Sequence, residues 1–349
     1  MALLSHQNNY NYMSKKLVFD RKNILVTGGA GFIGSHLCDE LIKTAKVICL
    51  DDFSSGDERN IDHLLADSNF EFIRHDLSEP IDLDNTPGLE KFKIKFQGVQ
   101  EIYHLACPSS PRNFSANRLA MLSANSLAMK NVLDLAVKYQ AKILHFSSSV
   151  VYGTRRDGTP LIQEKDLGEV DILSERSAYD EGKRFAETMV KNYRDIFNLD
   201  TKIIRPFRIY GPRMKLDDDQ MIPDFINSAL EGKDLVIFGN EDFSSALCYV
   251  TDCIDAALKL MESDLAGPFN IGSDIDVKIK EVAERIIKFT ESNSQIAYAD
   301  SKLFISELNI PDISSARNEL GWIPVTTLDR GLQNTIEDLR ATKGLKRIG

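Results

Sequence analysis

The segment SAYDEGKRFAETM contains Tyr179 and Lys183, four residues apart at the start of a helical pattern. In an α-helix this spacing places the phenol and the ammonium on one face, about one turn apart. Because a nearby cation favours the phenolate, the sequence predicts a tyrosine that acts as a base near neutral pH and not near its ordinary pKa of about 10. Such a tyrosine removes the proton of an alcohol while a hydride leaves the same carbon. Taken alone, the pair is also common on ordinary surface helices.

A glycine-rich turn lies upstream. TGGAGFIG follows the apolar pattern NILV and opens the amphipathic pattern SHLCDELI. In this context Gly28 permits a tight turn, Gly31 lets the backbone approach a pyrophosphate, and Gly34 allows close packing of helix on strand. The helix N-terminus then offers unpaired N–H groups to the phosphates. The sequence therefore predicts a dinucleotide site that includes Phe32 and Ile33; a purely structural turn is the alternative.

Acidic residues at the ends of the next two strand patterns indicate which dinucleotide binds. Asp51 follows KVICL, where a carboxylate accepts hydrogen bonds from the adenosine ribose and repels a 2′-phosphate, so NAD is favoured over NADP. A capping role for Asp51 or Asp52 is the alternative. Asp76, after FEFIRH, is predicted either to contact the adenine edge or to form a plain turn. Further cofactor contacts are expected from residues after the third and fourth strand patterns, Leu77, Leu105 and Ala106.

Three consecutive serines follow another buried strand pattern, in HFSSSVVYG. Open parallel sheets bind ligands at the carboxyl ends of their strands. A hydroxyl at this position can share a hydrogen bond with a substrate alcohol while Tyr179 removes the proton. Serines are also ordinary loop residues, and only the combination with Tyr179 and Lys183 favours a catalytic role.

The order of these patterns predicts the fold. From Lys22 to about Arg205, short apolar strand patterns alternate with amphipathic helical patterns, which is typical of a parallel sheet covered on both faces. We predict an α/β protein with a Rossmann-type doubly wound parallel sheet and a smaller C-terminal mixed α/β substrate-binding region. The expected divisions are a flexible N-terminal tail at 1–20, an NAD-binding domain at 21–205, and a substrate-binding region at 206–349 that is partly interleaved with it. The strand patterns are NILVTG, KVICLDD, FEFIRHD, EIYHLAC, KILHFSSS and TKIIRPF, and the helical patterns are SHLCDELIKT, NSLAMKNVLDLAVKYQ and YDEGKRFAETMVKNYRDIF.

Composition excludes several classes of protein. The net charge of −10 argues against nucleic-acid and anionic-membrane partners. Five scattered cysteines without a CxxC pair, and no histidine cluster at metal spacing, indicate a cytoplasmic protein without a metal. The run Asp217–Asp219 is interpreted as solvated carboxylates. No apolar run is long enough to span a bilayer, and residues 1–20 do not have the pattern of a secretory signal.

With these motifs, the chain resembles the extended short-chain dehydrogenases/reductases that act on nucleotide sugars, over nearly all of residues 22–340. Within that group it is most similar to the UDP-glucuronate decarboxylases. The similarity is carried by GEVDILSERSAYDEGKR around the tyrosine, by HLACPSSPRNF after the fourth strand pattern and by YGPRM. The late segment PDISSARNELGWIP is shared more broadly among sugar-nucleotide epimerases and dehydratases.

The resemblance implies a role for each matching residue. Tyr179 would be the base, Lys183 its electrostatic partner and nicotinamide-ribose ligand, and Ser148 the hydroxyl partner. Asn125 matches an asparagine that supports the active site and is an expected cofactor contact, and Arg213 would face the substrate. In such enzymes bound NAD oxidises the sugar at carbon 4, the transient ketone enables a second step, and the hydride returns. The implied activity is decarboxylation of a UDP-glucuronate-like substrate.

One departure from the family pattern concerns acid–base chemistry. The decarboxylases carry glutamate directly before VYG, where this chain has Val150; the 4,6-dehydratases carry an Asp-Glu pair, where it has Ser149 and Val150. Without these carboxylates, elimination of water has no evident catalyst, so a dehydratase is disfavoured. 4-Epimerases tolerate an apolar residue there, and 4-epimerisation or simple 4-oxidoreduction is the alternative activity. A non-catalytic NAD-binding scaffold or sensor is the alternative of another class.

A second departure concerns the substrate's charge. The family has an arginine that grips the pyrophosphate where this chain has Ser245, and asparagine where this chain has Arg208 in RPFRIYGP. We predict that Arg208 supplies the missing charge and that the substrate site contains Ser149, Arg208 and Arg213. A surface arginine is the alternative for Arg208. These changes leave the base and the sugar open.

The helix that starts near Tyr179 has two apolar stripes, one of which runs through Phe185, Met189 and Tyr193. Two apolar faces exceed what a single core contact requires. In the family that the chain resembles, paired helices of this kind build a homodimer, so we expect a homodimer here.

Overall fold

A parallel β-sheet forms the centre of the molecule. The computed structural model describes residues 21–110, 112, 114–154, 161–216, 218–300 and 309–346. The strands are β1 Asn23–Thr27, β2 Lys46–Asp51, β3 Phe70–Arg74, β4 Glu101–His104, β5 Lys142–Phe146, β6 Thr201–Pro206, β7 Ile209–Tyr210, β8 Leu235–Phe238, β9 Ser244–Ala246, β10 Cys248–Tyr249, β11 Phe269–Ile271, β12 Asp276–Lys278 and β13 Ile296–Ala299. A seven-stranded sheet pairs in parallel in the order β11-β6-β5-β4-β1-β2-β3. All the strands predicted from the sequence are present, and the predicted parallel sheet is confirmed.

Helices connect the strands. They are α1 Phe32–Leu41, α2 Ile94–Gln97, α3 Arg118–Ser123, α4 Met129–Tyr139, α5 Ser177–Phe197, α6 Met221–Leu230, α7 Val250–Glu262, α8 Ile279–Thr290, α9 Ser314–Glu319 and α10 Leu328–Lys346. A single π-helical turn, Ala124–Ala128, joins α3 to α4. The three amphipathic patterns correspond to α1, to the π-helical turn with α4, and to α5, so these predictions are confirmed.

Both faces of the sheet are covered, which explains why its strands are apolar throughout. Successive strand residues point to opposite faces. In β1, Ile24 and Val26 pack in the cluster that contains α1 and α7, whereas Leu25 packs in the cluster that contains α4 and α5. The predicted doubly wound architecture is confirmed.

The order of the strands determines where a ligand can bind. The strand order reverses at β1, which pairs with β2 on one side and with β4 on the other. In open parallel sheets, ligands bind outside the carboxyl ends of the strands at such a point. The glycine turn after β1, the loops after β2 and β4, and the serines after β5 all begin at this edge. The fold therefore brings the predicted motifs to one place.

The later part of the chain contributes to the sheet and also builds a smaller layer beside it. β11 pairs with β6 at the edge of the large sheet, and three two-stranded pairs, β7 with β10, β9 with β12 and β8 with β13, lie outside it. Trp322 is fully buried and its indole N–H donates to the carbonyl of Asp252 over 2.9 Å. Because β11 pairs with β6, residues after 205 share the large sheet with residues before it, and the division at residue 205 stays a prediction.

The N-terminal tail and the absence of a membrane span were also predicted from the sequence. The predicted tail at 1–20 lies outside the described residues. In the part of the chain that the structure describes, no helix combines the length and the apolar character that crossing a bilayer requires.

Candidate active site

The glycine turn after β1 leaves space for a ligand beside a helix N-terminus. Gly28 has a φ of +71°, and a Cβ there would lie 2.8 Å from the backbone nitrogen of Ala106. A Cβ on Gly34, in the first turn of α1, would lie 2.2 Å from the carbonyl oxygen of Gly28. Among the described residues no side chain caps α1 at Gly31. The amides of the first turn and the positive end of the helix dipole are therefore available to phosphates, so the turn fits a dinucleotide.

A cavity of about 710 Å³ opens at this edge of the sheet. Its size and mixed lining are suited to a cofactor with a small substrate. With the exception of Asn125, every residue predicted for the site lines the cavity: Gly28, Gly31, Phe32, Ile33, Gly34, Asp51, Asp76, Leu77, Leu105, Ala106, Ser148, Ser149, Tyr179, Lys183, Arg208 and Arg213.

Asp51 lies at one end of the cavity and also shapes its own loop. Its carboxylate accepts the backbone N–H of Ala30 over 3.0 Å and that of Phe53 over 2.9 Å. Burial raises the pKa of this carboxyl, and the two backbone hydrogen bonds oppose that shift. Asp51 therefore caps its own loop, as the alternative predicted, and it can still contact the ribose of a bound dinucleotide. Asp76 likewise accepts the N–H of Ser78 over 2.8 Å while it lines the cavity.

Tyr179, Lys183 and Ser148 meet above the end of β5. The Lys183 ammonium donates to the carbonyl of Phe146 over 2.8 Å and lies 5.9 Å from the centre of the Tyr179 ring. The Tyr179 phenol is hydrogen-bonded to the Ser148 hydroxyl. The helix therefore positions a phenol, a hydroxyl and an ammonium in one contact network, which can take a proton from an alcohol.

The charge states in this network differ from the sequence-based expectation. Burial raises the pKa of Tyr179 above its ordinary value, Cys107 raises it further, and the hydrogen bond from Ser148 lowers it. Burial also lowers the pKa of Lys183. We expected the lysine to bring the phenol's pKa towards neutrality; with the protein's own groups alone that expectation is wrong, because removal from water disfavours both charged forms.

Asn125 supports the site from behind. It lies in the π-helical turn, and its amide donates to the carbonyl of Met121 over 2.9 Å and to the sulfur of Cys107 over 3.3 Å. A Cβ on Gly182 would lie 2.9 Å from the Asn125 amide nitrogen, so this asparagine packs directly on α5 beside Lys183. The structure places it outside the cavity lining, and contact with the cofactor stays a prediction.

The two arginines predicted on the substrate side have different surroundings. Arg213 forms an ion pair with Asp39 of α1 over 2.7 Å, and its backbone N–H donates to Asp338 over 2.8 Å. Arg208 has a positive φ of 37°. Burial lowers the pKa of Arg208 to about 10, and the nearby Arg176 contributes to the same shift. Arg208 thus brings a buried guanidinium to the cavity wall, and Arg213 brings one that is paired with Asp39.

Of the positions that depart from the family pattern, Ser149 and Arg208 line the cavity. Val150 is 5% exposed in the short 3₁₀ turn after β5, and Ser245 is 1% exposed in β9; both are buried and neither is among the lining residues.

Several residues that line the cavity escaped the analysis of motifs. The Ser110 hydroxyl donates to the Asp218 carboxylate, which also accepts the Gln220 amide over 3.0 Å. Lys215 donates to the carbonyl of Gly56 over 3.3 Å and lowers the pKa of Asp51, so it brings a cation to the adenosine end. Ser110 lies in the segment HLACPSSPRNF and Asp218 in the acidic run, but neither pattern predicted a contact between them, and Lys215 and Gln220 belong to no motif.

Asp218 belongs to the acidic run that was interpreted as solvated carboxylates, but Asp218 itself is buried, at 9% exposure. Its neighbour Asp217 lies outside the described residues. Within the described ranges, no three histidine, cysteine, aspartate or glutamate side chains converge as a metal site requires.

A comparison with protein families identifies the overall group. Residues 24–272 match the NAD dependent epimerase/dehydratase family. The match spans the large sheet from Ile24 onward and contains Ser148, Tyr179 and Lys183.

Individual relatives are similar over most of their length. UDP-glucuronic acid decarboxylase 1 of Xenopus tropicalis is 36% identical over 330 residues, which cover 94% of this chain and 74% of that protein. UDP-glucuronic acid decarboxylase 6 of Arabidopsis thaliana is 36% identical over 96% of this chain and 93% of that protein. The solved structure of UDP-glucuronic acid 4-epimerase from Bacillus cereus, in complex with UDP-glucuronic acid and NAD, superposes with a TM-score of 0.78 at 27% identity, over 92% of this chain and 99% of that one.

The burial of Tyr179 makes its ionisation testable. With the protein alone, we expect the phenolate of Tyr179 to form only above about pH 10, because desolvation disfavours the charge. Addition of NAD, whose nicotinamide ring is positively charged, should move ionisation to lower pH. The measurement is an ultraviolet absorbance titration of the protein minus that of its Tyr179→Phe variant, and Tyr298→Phe, which removes an exposed tyrosine, is the control. A phenolate signal near neutral pH without NAD, lost in Tyr179→Phe, would contradict the expectation.

Proposed function

The chain belongs to the NAD dependent epimerase/dehydratase family, and from that premise we propose that it decarboxylates a UDP-glucuronate-like nucleotide sugar through a transient 4-keto intermediate. It is an NAD-dependent enzyme. The observation that carries the proposal is the contact of Tyr179, Ser148 and Lys183 above β5, in a chain that is similar to UDP-glucuronic acid decarboxylases over 94% of its length.

The residues that would hold the cofactor follow from the cavity. The uncapped start of α1 and the glycine turn would hold the pyrophosphate, Asp51 the adenosine ribose, and Lys183 the nicotinamide ribose. When bound, NAD supplies an acceptor for the hydride of sugar carbon 4 and later returns it.

The first step needs a base and an oriented hydroxyl. Tyr179 would take the proton of the 4-hydroxyl, while Ser148 holds the oxygen through their shared hydrogen bond. The Lys183 ammonium, fixed by the Phe146 carbonyl, stabilises the negative charge that develops on the phenol. The result is a ketone at carbon 4, with Tyr179 and Ser148 placed to hydrogen-bond its oxygen.

The second step follows from the position of that ketone. The carboxylate of a glucuronate lies on carbon 5, so oxidation at carbon 4 creates a β-keto acid. The bond between carbon 5 and the carboxylate breaks, carbon dioxide leaves, and the electron pair moves into an enolate on the carbon-4 oxygen. Carbon 5 then takes a proton, and the hydride returns to carbon 4. This route needs no carboxylic acid at position 150, because the ketone accepts the electrons.

4-Epimerisation is the second candidate function. The observation that favours it is Val150, because the glutamate that decarboxylases carry at this position is absent and its replacement is buried. Epimerisation would need only the same removal and return of a proton and a hydride, with rotation of the keto sugar between them. Similarity in sequence favours decarboxylation, and we keep it as the main proposal.

Assembly and location are proposals of the same kind. α5 exposes Phe185, Ile196 and Phe197 at 51%, 71% and 45%, and the neighbouring α3 exposes Leu119 and Leu122. Apolar surface of this extent is typical of an interface, so we propose that two copies pair through these helices. Five free cysteines and no disulfide among the described residues are in keeping with a cytoplasmic location.

The main proposal predicts a product. With NAD and UDP-glucuronate we expect release of carbon dioxide and a UDP-pentose, measured by mass spectrometry of the sugar nucleotide, and no activity for Tyr179→Phe. A product of unchanged mass with inverted carbon 4 would instead establish the epimerase. Parallel reactions with GDP-, CDP- and dTDP-sugars test the base, and failure of every substrate despite NAD binding would refute both activities on the tested sugars.

Arg208 is expected to bind the anionic part of the substrate. Arg208→Gln should weaken UDP-glucuronate binding about 10–100-fold, the loss typical of one charge-assisted hydrogen bond, while Arg317→Gln, an exposed arginine of α9, should not. Calorimetry with UDP-glucuronate and with UDP alone shows which group Arg208 contacts. Loss of a pyrophosphate contact weakens the binding of both ligands, whereas loss of a contact to the sugar weakens only that of UDP-glucuronate. Unchanged affinity for Arg208→Gln, together with lost binding for Arg213→Ala, would show that the charge comes from Arg213.

The proposed dimer is testable by mass in solution. Light scattering at micromolar concentration should give twice the chain mass, and Phe185→Glu should give a monomer, because it places a charge in the apolar contact. Val325→Glu, an exposed apolar position away from α5, is the matched control. A monomeric parent protein would refute the dimer.

A further inference from the structure

Helix α5 contacts the end of β5 at three successive turns. Tyr179 is hydrogen-bonded to Ser148, Lys183 to the carbonyl of Phe146, and Glu187 accepts the hydroxyl of Ser147 over 2.6 Å. The three helix residues are four apart and so lie on one face. The three strand-end residues are consecutive. The Tyr–Lys pair is thus the first part of a longer series whose third member is Glu187.

The carboxylate of Glu187 is fixed by an ion pair. Arg205 of β6 donates to both of its carboxylate oxygens, over 2.9 and 2.7 Å, and the two side chains are 14% and 11% exposed. The same guanidinium donates to the Tyr152 hydroxyl over 2.6 Å. The ion pair therefore contacts the segment that contains Ser148 at two points, at Ser147 before it and at Tyr152 after it.

Glu187 also contributes charge near the lysine. Burial lowers the pKa of Lys183, and Glu187 and Cys107 oppose that shift. His104 and His145, which Lys183 influences in turn, are buried and their pKa values are lowered, so they are neutral at physiological pH. Among the described residues, the titratable groups near Lys183 are His104 of β4, Cys107 after it, His145 of β5, and Tyr179 and Glu187 of its own helix. Arg205 of β6 adds a positive charge that is paired with Glu187.

We propose that Glu187 is a positioning residue for the reaction: it holds Ser147, and through the chain Ser148, at the level of Tyr179, and it places a carboxylate one helical turn from Lys183. The inference rests on the proposed roles of Tyr179, Ser148 and Lys183 in proton removal. It does not depend on which product the enzyme forms.

Two variants separate the two contributions. Ser147→Ala removes the hydrogen bond and keeps the charge, so we expect kcat to fall about tenfold with the pH profile unchanged, in line with the loss of one hydrogen bond to a charged group. Glu187→Gln keeps an acceptor for Ser147 and removes the charge, so we expect the alkaline limb of the profile to move about one pH unit lower, because Lys183 loses its proton more easily. The reaction followed is NADH formation at 340 nm in a single turnover, which reports oxidation whatever the product.

The controls address folding and general charge effects. Glu181→Gln removes an exposed carboxylate that pairs with Arg184 on the same helix and should leave the profile unchanged. Thermal unfolding and NAD affinity by calorimetry show whether each variant is folded. If Glu187→Gln does not fold because Arg205 has lost its partner, Glu187→Gln with Arg205→Gln removes both charges. The limb should then shift less than one pH unit, because the two charge changes oppose each other, while kcat should fall because the side chain at position 187 is no longer held by Arg205.

The results that would overturn the inference are distinct from a failure of the proposed function. A folded, NAD-binding Glu187 variant with the parent's kcat and pH profile refutes the positioning role. A folded parent protein that reduces no NAD with any sugar nucleotide refutes the proposed function. The positioning role is then judged by the Tyr179 absorbance titration of Ser147→Ala: displacement of Ser148, which lowers the pKa of Tyr179, should raise the pH of phenolate formation, and an unchanged titration would refute the role.

Discussion

The hydrogen bond from the Lys183 ammonium to the Phe146 carbonyl is the contact on which the rest of the site depends. It fixes the height of α5 against the end of β5. Tyr179 lies one turn earlier on the same face, so it is fixed at the same time and meets Ser148, two residues beyond Phe146. A helix rises about 1.5 Å per residue, which is more than a hydrogen bond tolerates. A slide of α5 by a single residue would therefore separate the phenol from the hydroxyl.

Burial of this contact disfavours the charged forms of both side chains. Removal from water disfavours both the phenolate of Tyr179 and the ammonium of Lys183, and the pKa of each moves towards the neutral form. The neutral histidines beneath the site add no charge, and Glu187, one turn beyond the lysine, is an anion paired with Arg205. We propose that bound NAD, whose oxidised nicotinamide is positively charged, would favour the phenolate of Tyr179, so that proton removal would depend on the loaded state.

The sequence predicted the fold and most of the cavity lining because both depend on local patterns. Buried parallel strands are apolar runs, and the glycine spacing between β1 and α1 has a steric reason that is visible at Gly28 and Gly34. Contacts between segments distant in the chain left no such signal. Three contacts join segments that only the folded chain brings together. They are the ion pair of Arg213 with Asp39, the packing of Asn125 behind α5, and the hydrogen bond of Ser110 to Asp218. The ionisation of Tyr179 was mispredicted for a related reason, since helical spacing shows the cation but not the burial that outweighs it.

The choice between decarboxylation and epimerisation depends on how the sugar's carboxylate is held. Loss of carbon dioxide moves negative charge from the carboxylate to the carbon-4 oxygen, so a cation paired with the carboxylate stabilises the starting state more than the transition state and slows the step. Donors around the carbon-4 oxygen have the opposite effect. We expect Tyr179, Ser148 and Lys183 to surround that oxygen. The two activities then differ in which group of the substrate Arg208 binds. An Arg208 that binds the pyrophosphate leaves the carboxylate free to depart, whereas an Arg208 that binds the carboxylate retains it and favours return of the hydride to an intact acid. Val150 is buried and brings no acid to the site. We therefore expect the group that Arg208 binds to distinguish the two proposed activities.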